Sequence, residues 1–155
     1  ARDPVVRWTD ACPPTILATS VWFVIGALYL LVLPLAYRSV IPFFGALLTG
    51  PAAAVAIILC AALSLYLARA FYRLQRAGWW LALVLLLTFG ASASITFFRI
   101  EPLEFYRQMG YADQLIERMR DYRAVGGSFL GWSTAIFSLL LLVFLFRIRK
   151  YFWPE

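Results

Sequence analysis

The sequence predicts an all-α integral membrane protein with four transmembrane helices and an amphipathic helical insert between the third and the fourth. Of its 155 residues, 63% are hydrophobic and 14% are charged, whereas a soluble domain carries about 25% charged residues. The hydrophobic residues fall into four runs, each near the roughly 20 residues that a spanning helix needs. Residues 1–155 are therefore predicted to form a single membrane domain.

The predicted spans follow the four apolar runs. Pro13 and Pro14 precede the first run and suit a helix start, as does Pro51 at the start of the second. A longer, polar stretch separates the third run from the fourth and forms the predicted extramembrane insert, residues 99–127. The four spans cover about residues 15–37, 51–71, 79–98 and 128–146.

Residues 38–50 are too apolar for a solvated loop and too short to cross a bilayer. Two alternatives remain open for this segment. It is either an interfacial segment or a shallow re-entrant turn.

Basic residues flank the apolar runs, and they predict the orientation of the chain. Lys and Arg are retained on the cytoplasmic side, and Trp marks the headgroup level, so the turn between spans two and three and both termini are predicted to be cytoplasmic. The five arginines of the outer insert are accompanied by five acids. A specific lipid headgroup site is the alternative role for the turn's arginines. The predicted topology anchors are Arg69, Arg73, Arg76, Trp79, Trp80, Arg147, Arg149 and Lys150.

The basic residues also indicate the origin and exclude one class of partner. Thirteen of the fourteen are arginine, which, with much Ala and Leu, is typical of a GC-rich bacterial genome and favours a bacterial inner membrane. They lie in short clusters beside apolar runs and not on a basic face, so nucleic acid is excluded as a partner.

Small residues recur at intervals of four within two spans. Such a stripe lets a second helix approach closely in lipid. Packing within the four-helix bundle and docking of a separate subunit are both open interpretations. The predicted helix-packing residues are Ala56, Cys60, Ser64 and Ala68 in the second span, and Gly90 and Ser94 in the third.

The insert shows helical periodicity, with apolar residues at intervals of three and four and charges between them. Gly110 is predicted to divide it into two helices, and Glu104 is spaced to pair with Arg107. The insert either lies on the outer leaflet or caps the bundle, or it forms a docking surface for a partner. The candidate docking residues are Phe105, Met109, Leu115, Arg118, Met119 and Arg120.

Chemistry-bearing residues are missing from the spans. The chain has no His, so no His-ligated haem, chlorophyll or metal is expected, and other cofactors stay unknown. All eight acids lie outside the predicted spans, and no nucleophile has a base beside it. The sequence therefore predicts no catalytic residue and no enzymatic activity.

Two functional hypotheses follow. The first is a non-catalytic accessory subunit of a larger membrane complex, with the lipid bilayer and other membrane subunits as its partners. The second is a small transporter or channel protomer that works as a homo-oligomer. Its polar path would follow the hydroxyls of Thr88, Ser92 and Thr96, which share one face of the third span.

Overall fold

The computed structural model describes residues 12–120 and 127–153, and the protein is mostly helical. Four of its helices are long and apolar enough to cross a membrane. They agree closely with the predicted spans, and the largest difference is that the third begins at Arg76 instead of Trp79. The helices are α1 (Pro14–Ala36), α2 (Gly50–Tyr72), α3 (Arg76–Arg99), α4 (Pro102–Gln108), α5 (Asp113–Arg120) and α6 (Gly127–Ile148), and the strands are β1 (Val40–Phe43) and β2 (Ala46–Thr49).

The four long helices form two pairs. α1 packs along α2, and α3 packs along α6. The pairs approach each other at the turn between α2 and α3, where a Cβ added at Gly78 would lie 2.6 Å from the Cβ of Ala70. Only glycine permits this distance, so the turn fixes one end of the gap between the pairs.

The turn itself is short because α2 ends in a Schellman motif. The N–H of Gln75 donates to the carbonyl of Ala70 (2.9 Å) and the N–H of Leu74 to that of Phe71 (2.8 Å). Leu74 has a φ of 54°, the left-handed conformation that this motif requires at its second-last residue. The chain thus reverses direction within three residues.

Residues 40–49 form a β-hairpin, which the sequence analysis did not predict. Val40 pairs with Thr49, and Phe43 pairs with Ala46. Both turn residues have positive φ, 43° at Phe44 and 93° at Gly45, as a type I′ turn requires. The hairpin connects α1 to α2 and contacts α3, so it joins the two helix pairs at the end away from the α2–α3 turn.

Two short helices, α4 and α5, lie between α3 and α6, and Gly110 separates them with a φ of 87°, as predicted. The N–H of Arg38 donates to the carbonyl of Met109 (3.1 Å), and the Tyr37 and Tyr111 rings stack with centroids 4.9 Å apart. A side-chain hydrogen bond with Tyr37 raises the pKa of Tyr111. These contacts hold the connection between α4 and α5 against the residues that follow α1.

Candidate functional site

An apolar cleft of about 910 Å³ lies between the two helix pairs and is partly open to the outside. This volume is near the upper end of the roughly 300–1,000 Å³ that ligand pockets occupy. Four helices and β1 contribute to its walls. The lining includes Trp22 and Leu33 of α1, Ile57 and Cys60 of α2, Phe89 and Ala93 of α3, Leu141 and Leu145 of α6, and Ile41 of β1.

The cleft is nearly as long as a membrane span. Its α1 wall runs from Thr15 to Leu33, which is roughly 27 Å along a helix that rises about 1.5 Å per residue. The hydrocarbon core of a bilayer is about 30 Å thick. Along α1 the cleft therefore approaches the full hydrocarbon thickness, whereas its lining residues on α3 extend only from Ala82 to Ala93.

Two hydroxyls in the cleft wall are already satisfied. Thr19 donates from Oγ1 to the carbonyl of Thr15 (2.7 Å), and Ser64 donates from Oγ to the carbonyl of Cys60 (2.8 Å). Side chains of this kind commonly bond to their own helix in this way. The wall consequently offers apolar contacts and small side chains to an occupant.

At one end of the cleft, two α3 hydroxyls hold the hairpin. Ser92 Oγ accepts from the N–H of Phe44 (2.9 Å) and donates to the carbonyl of Pro42 (3.2 Å). Thr96 Oγ1 accepts from the N–H of Gly45 (2.9 Å) and donates to the carbonyl of Ser92 (2.8 Å). Ser92 and Thr96 are both buried, whereas Thr88 is exposed. Two of the three hydroxyls considered for a polar path thus bind the hairpin.

At the other end, Phe71 lines the cleft and belongs to a buried aromatic cluster with Trp79 and Phe152. Each ring is no more than 2% exposed. The Phe71 and Phe152 centroids lie 5.0 Å apart in an edge-to-face arrangement. Trp79 Nε1 donates to the carbonyl of Leu145 (2.9 Å). Two features, this cluster and the hairpin, therefore bound the cleft along the direction of the helices.

The predicted helix-packing residues of α2 differ in how deeply they are buried. Ala68 is buried, whereas Ala56, Cys60 and Ser64 are half-buried, and Cys60 and Ser64 line the cleft. The more deeply buried alanines of this helix are Ala53, Ala61 and Ala70, which the predicted stripe of every fourth residue from Ala56 did not include. The predicted stripe thus borders the cleft, and its role in docking stays a prediction.

On α3, Gly90 lies at a close approach of α6. A Cβ added at Gly90 would lie 2.7 Å from Ser138 Oγ. Ser94, one turn further along α3, is half-buried. This part of the small-residue pattern belongs to a helix pair within the chain.

The candidate docking residues of α4 and α5 are divided between interior and surface. Met109 is 8% exposed, and Phe105 packs its ring against Phe97, with centroids 5.7 Å apart. Leu115 is 40% exposed, and Arg118 is also exposed. The side chains of Met119 and Arg120 lie outside the described residues. The Glu104–Arg107 ion pair is confirmed, at 3.0 Å.

The predicted topology anchors lie together at the end of the molecule formed by the α2–α3 turn and residues 147–153, here called the basic end. Its two adjacent tryptophans differ, since Trp79 is 1% and Trp80 is 54% exposed. Arg76 and Arg149 place their Cζ atoms 5.7 Å and 5.2 Å from the centroid of Trp153. Trp153 was not among the predicted anchors. The one sequence feature that pointed to it is its position close to a basic run.

Within the described part of the chain, no group of three His, Cys, Asp or Glu side chains is placed to hold a metal ion. Cys12 and Cys60 are both free thiols. The described residues thus offer an apolar cleft for packing and, at the basic end, a surface of basic and aromatic side chains. No protein-family model, curated protein or solved structure matches this chain, so its function rests on the geometry of the chain itself.

Proposed function

We propose that this chain is a non-catalytic accessory subunit of a larger membrane complex in a bacterial inner membrane. Its four candidate spans cross the bilayer, the basic end and both termini are cytoplasmic, and α4 and α5 lie on the outer face. The observation that supports this proposal is the cleft between the two helix pairs. A partner's transmembrane helix would complete the apolar core there.

The length of the cleft favours a helix over a lipid chain as its occupant. The cleft extends over roughly 27 Å, whereas a lipid tail reaches only the bilayer midplane, about 15 Å from the headgroup region. A partner helix crosses both leaflets and matches the whole length.

The composition of the wall supports the same partner. Cys60 and Ser64 line the cleft, and small side chains let a second backbone approach closely, which is how helices associate in lipid. Exposed Leu115 and Arg118 provide a second candidate contact on the outer side. The transport alternative has weaker support, because Ser92 and Thr96 use their hydroxyls to hold the hairpin.

Photo-crosslinking from Cys60 tests the accessory role. With Cys12→Ala, Cys60 is the single cysteine of a chain that has two. A thiol-reactive photo-crosslinker attached there in native membranes is expected to join the chain to one discrete polypeptide. Native mass spectrometry of a mild detergent extract then gives the mass of the assembly.

The matched control moves the cysteine by one residue, with Leu59→Cys and Cys60→Ala. Leu59 is 59% exposed and does not line the cleft, so it is expected to react with lipid. The accessory role is rejected if Cys60, like the control position, reacts only with lipid and if the extract contains only copies of this chain.

A further inference from the structure

Two arginines of the basic end converge on one indole ring. Arg76 begins α3, Arg149 follows α6, and both guanidiniums border Trp153 within cation–π distance. Arg149 also lies 5.8 Å from the centroid of Trp79. The contacts are reinforced by Arg76 Nε, which donates to the carbonyl of Phe152 (3.3 Å). The folded chain thus holds both cations beside the same ring.

No carboxylate accompanies them in the described part of the chain. The Asp and Glu residues of ranges 12–120 and 127–153 all lie beyond α3, on or next to α4 and α5, at the opposite end of the long helices. Like charges held together repel each other, and an anion between them removes that cost.

The chemistry of the two side chains selects the anion. A guanidinium presents its N–H groups as a planar fork that matches the oxygens of a phosphate, and its face stacks on an aromatic ring at the same time. Both side chains are exposed, so their free N–H groups are accessible from the headgroup region.

The surroundings select the source of the phosphate. Trp80 and Phe146 lie beside this site, and they are 54% and 52% exposed. The Trp80 ring lies 6.5 Å from Trp153, and the Phe146 ring lies 5.6 Å from Trp79. A free phosphate ion leaves these apolar surfaces uncovered, whereas a phospholipid covers them with an acyl chain.

We propose that Arg76, Arg149 and Trp153 bind the phosphate of an anionic phospholipid, with an acyl chain against Trp80 and Phe146. This inference rests on the proposed membrane placement, and it is independent of the occupant of the cleft. Basic sites between transmembrane helices on the cytoplasmic side bind anionic headgroups in this way.

Lipid retention by the full-length protein tests the site. The protein is exchanged into mixed micelles that contain phosphatidylglycerol or phosphatidylcholine with identical acyl chains, and bound lipid is counted by native mass spectrometry. Wild-type protein is expected to retain phosphatidylglycerol preferentially. The pair Arg76→Gln and Arg149→Gln is expected to reduce that preference about 30-fold, since each basic residue near the surface contributes about 1 kcal/mol and about 1.4 kcal/mol is a factor of ten.

The control pair is Arg69→Gln and Arg147→Gln, which removes the same charge from the same end without touching Trp153. It is expected to keep the preference. An equal loss from both pairs would mean a general effect of positive charge and would overturn the site. Displacement of the lipid by an equal concentration of inorganic phosphate would overturn the assignment to a lipid.

Two further measurements separate this proposal from loss of fold and from failure of the membrane placement. The pair Arg76→Lys and Arg149→Lys keeps the charge but loses the planar fork, so its preference for phosphatidylglycerol is expected to be intermediate. This variant tests the site even if the Gln pair does not fold. Flotation with vesicles tests the placement alone. A chain that floats but retains both lipids equally contradicts the headgroup site and leaves the membrane placement standing.

Discussion

At the scale of single residues, Phe44 shows how the hairpin depends on α3. A bulky residue with a φ of 43° is strained, and its N–H is satisfied by Ser92 Oγ. The next turn residue, Gly45, has a φ of 93°, a conformation that residues with a side chain rarely adopt. Hydrogen bonds from a different helix therefore stabilise a turn that its own sequence favours only weakly.

We expect Ser92→Ala to destabilise the hairpin. The substitution removes the acceptor of the Phe44 N–H and the donor to the Pro42 carbonyl, and each such bond contributes about 0.5–1.5 kcal/mol. The loss of about 1–3 kcal/mol is measured by thermal unfolding in detergent. Ser94→Ala is the matched control, since Ser94 makes no hydrogen bond to the hairpin. Equal melting temperatures for the two variants would contradict the anchoring role.

At the scale of elements, the four long helices were predictable and the hairpin was not. Apolar runs of span length leave a helix as the structure that satisfies every backbone group in lipid. Residues 40–49 are apolar on both strand faces, so they lack the alternation that indicates a strand. Their turn is Phe-Gly, not the Asn-Gly or Asp-Gly that marks a type I′ hairpin. The hydrogen bonds to Ser92 and Thr96 come from contacts that sequence spacing does not reveal.

The turn between α2 and α3 gives a prediction at this scale. Gly78→Ala places a methyl group 2.6 Å from the Cβ of Ala70, so the two helices must separate, and overpacking of this kind costs about 1–3 kcal/mol. A lower unfolding temperature in detergent is the expected result.

Gly26→Ala is the control for this substitution. A Cβ at Gly26 has no atom within 4 Å, and alanine is favoured over glycine in a helix by about 1 kcal/mol. Gly26→Ala is therefore expected to leave stability unchanged or to raise it. If Gly78→Ala raised it equally, the close approach of α2 and α3 would not be a constraint.

At the scale of the whole molecule, the described acids are confined to one end of the long helices, whereas basic residues lie at both ends. The described acids lie on the side of α4 and α5, and the basic end carries Arg69, Arg73, Arg76, Arg147, Arg149 and Lys150. Sequence reasoning identified these basic residues because they flank apolar runs. The convergence of Arg76 and Arg149 on Trp153 depends on the packing of α3 against α6, and the cleft depends on the spacing of the helix pairs. Neither can be obtained from local sequence.

The proposed orientation predicts an asymmetric labelling pattern. Single cysteines at Gln75→Cys, in the α2–α3 turn, and Gln114→Cys, in α5, are introduced after Cys12→Ala and Cys60→Ala. A membrane-impermeant maleimide applied to intact cells is expected to label only Gln114→Cys, because basic segments are retained in the cytoplasm. Gln75→Cys is expected to react only after the membrane is opened. Labelling of Gln75→Cys alone in intact cells would mean that the orientation is the opposite of the proposed one.

The position of the hairpin and of the aromatic cluster at the two ends of the cleft has a consequence for biogenesis in the proposed complex. Both features stand in the way of entry along the helix axis, so a partner helix is expected to enter sideways, from within the plane of the bilayer. In that case both components are inserted before they meet, and the rate of their encounter is expected to depend on their surface density in the membrane.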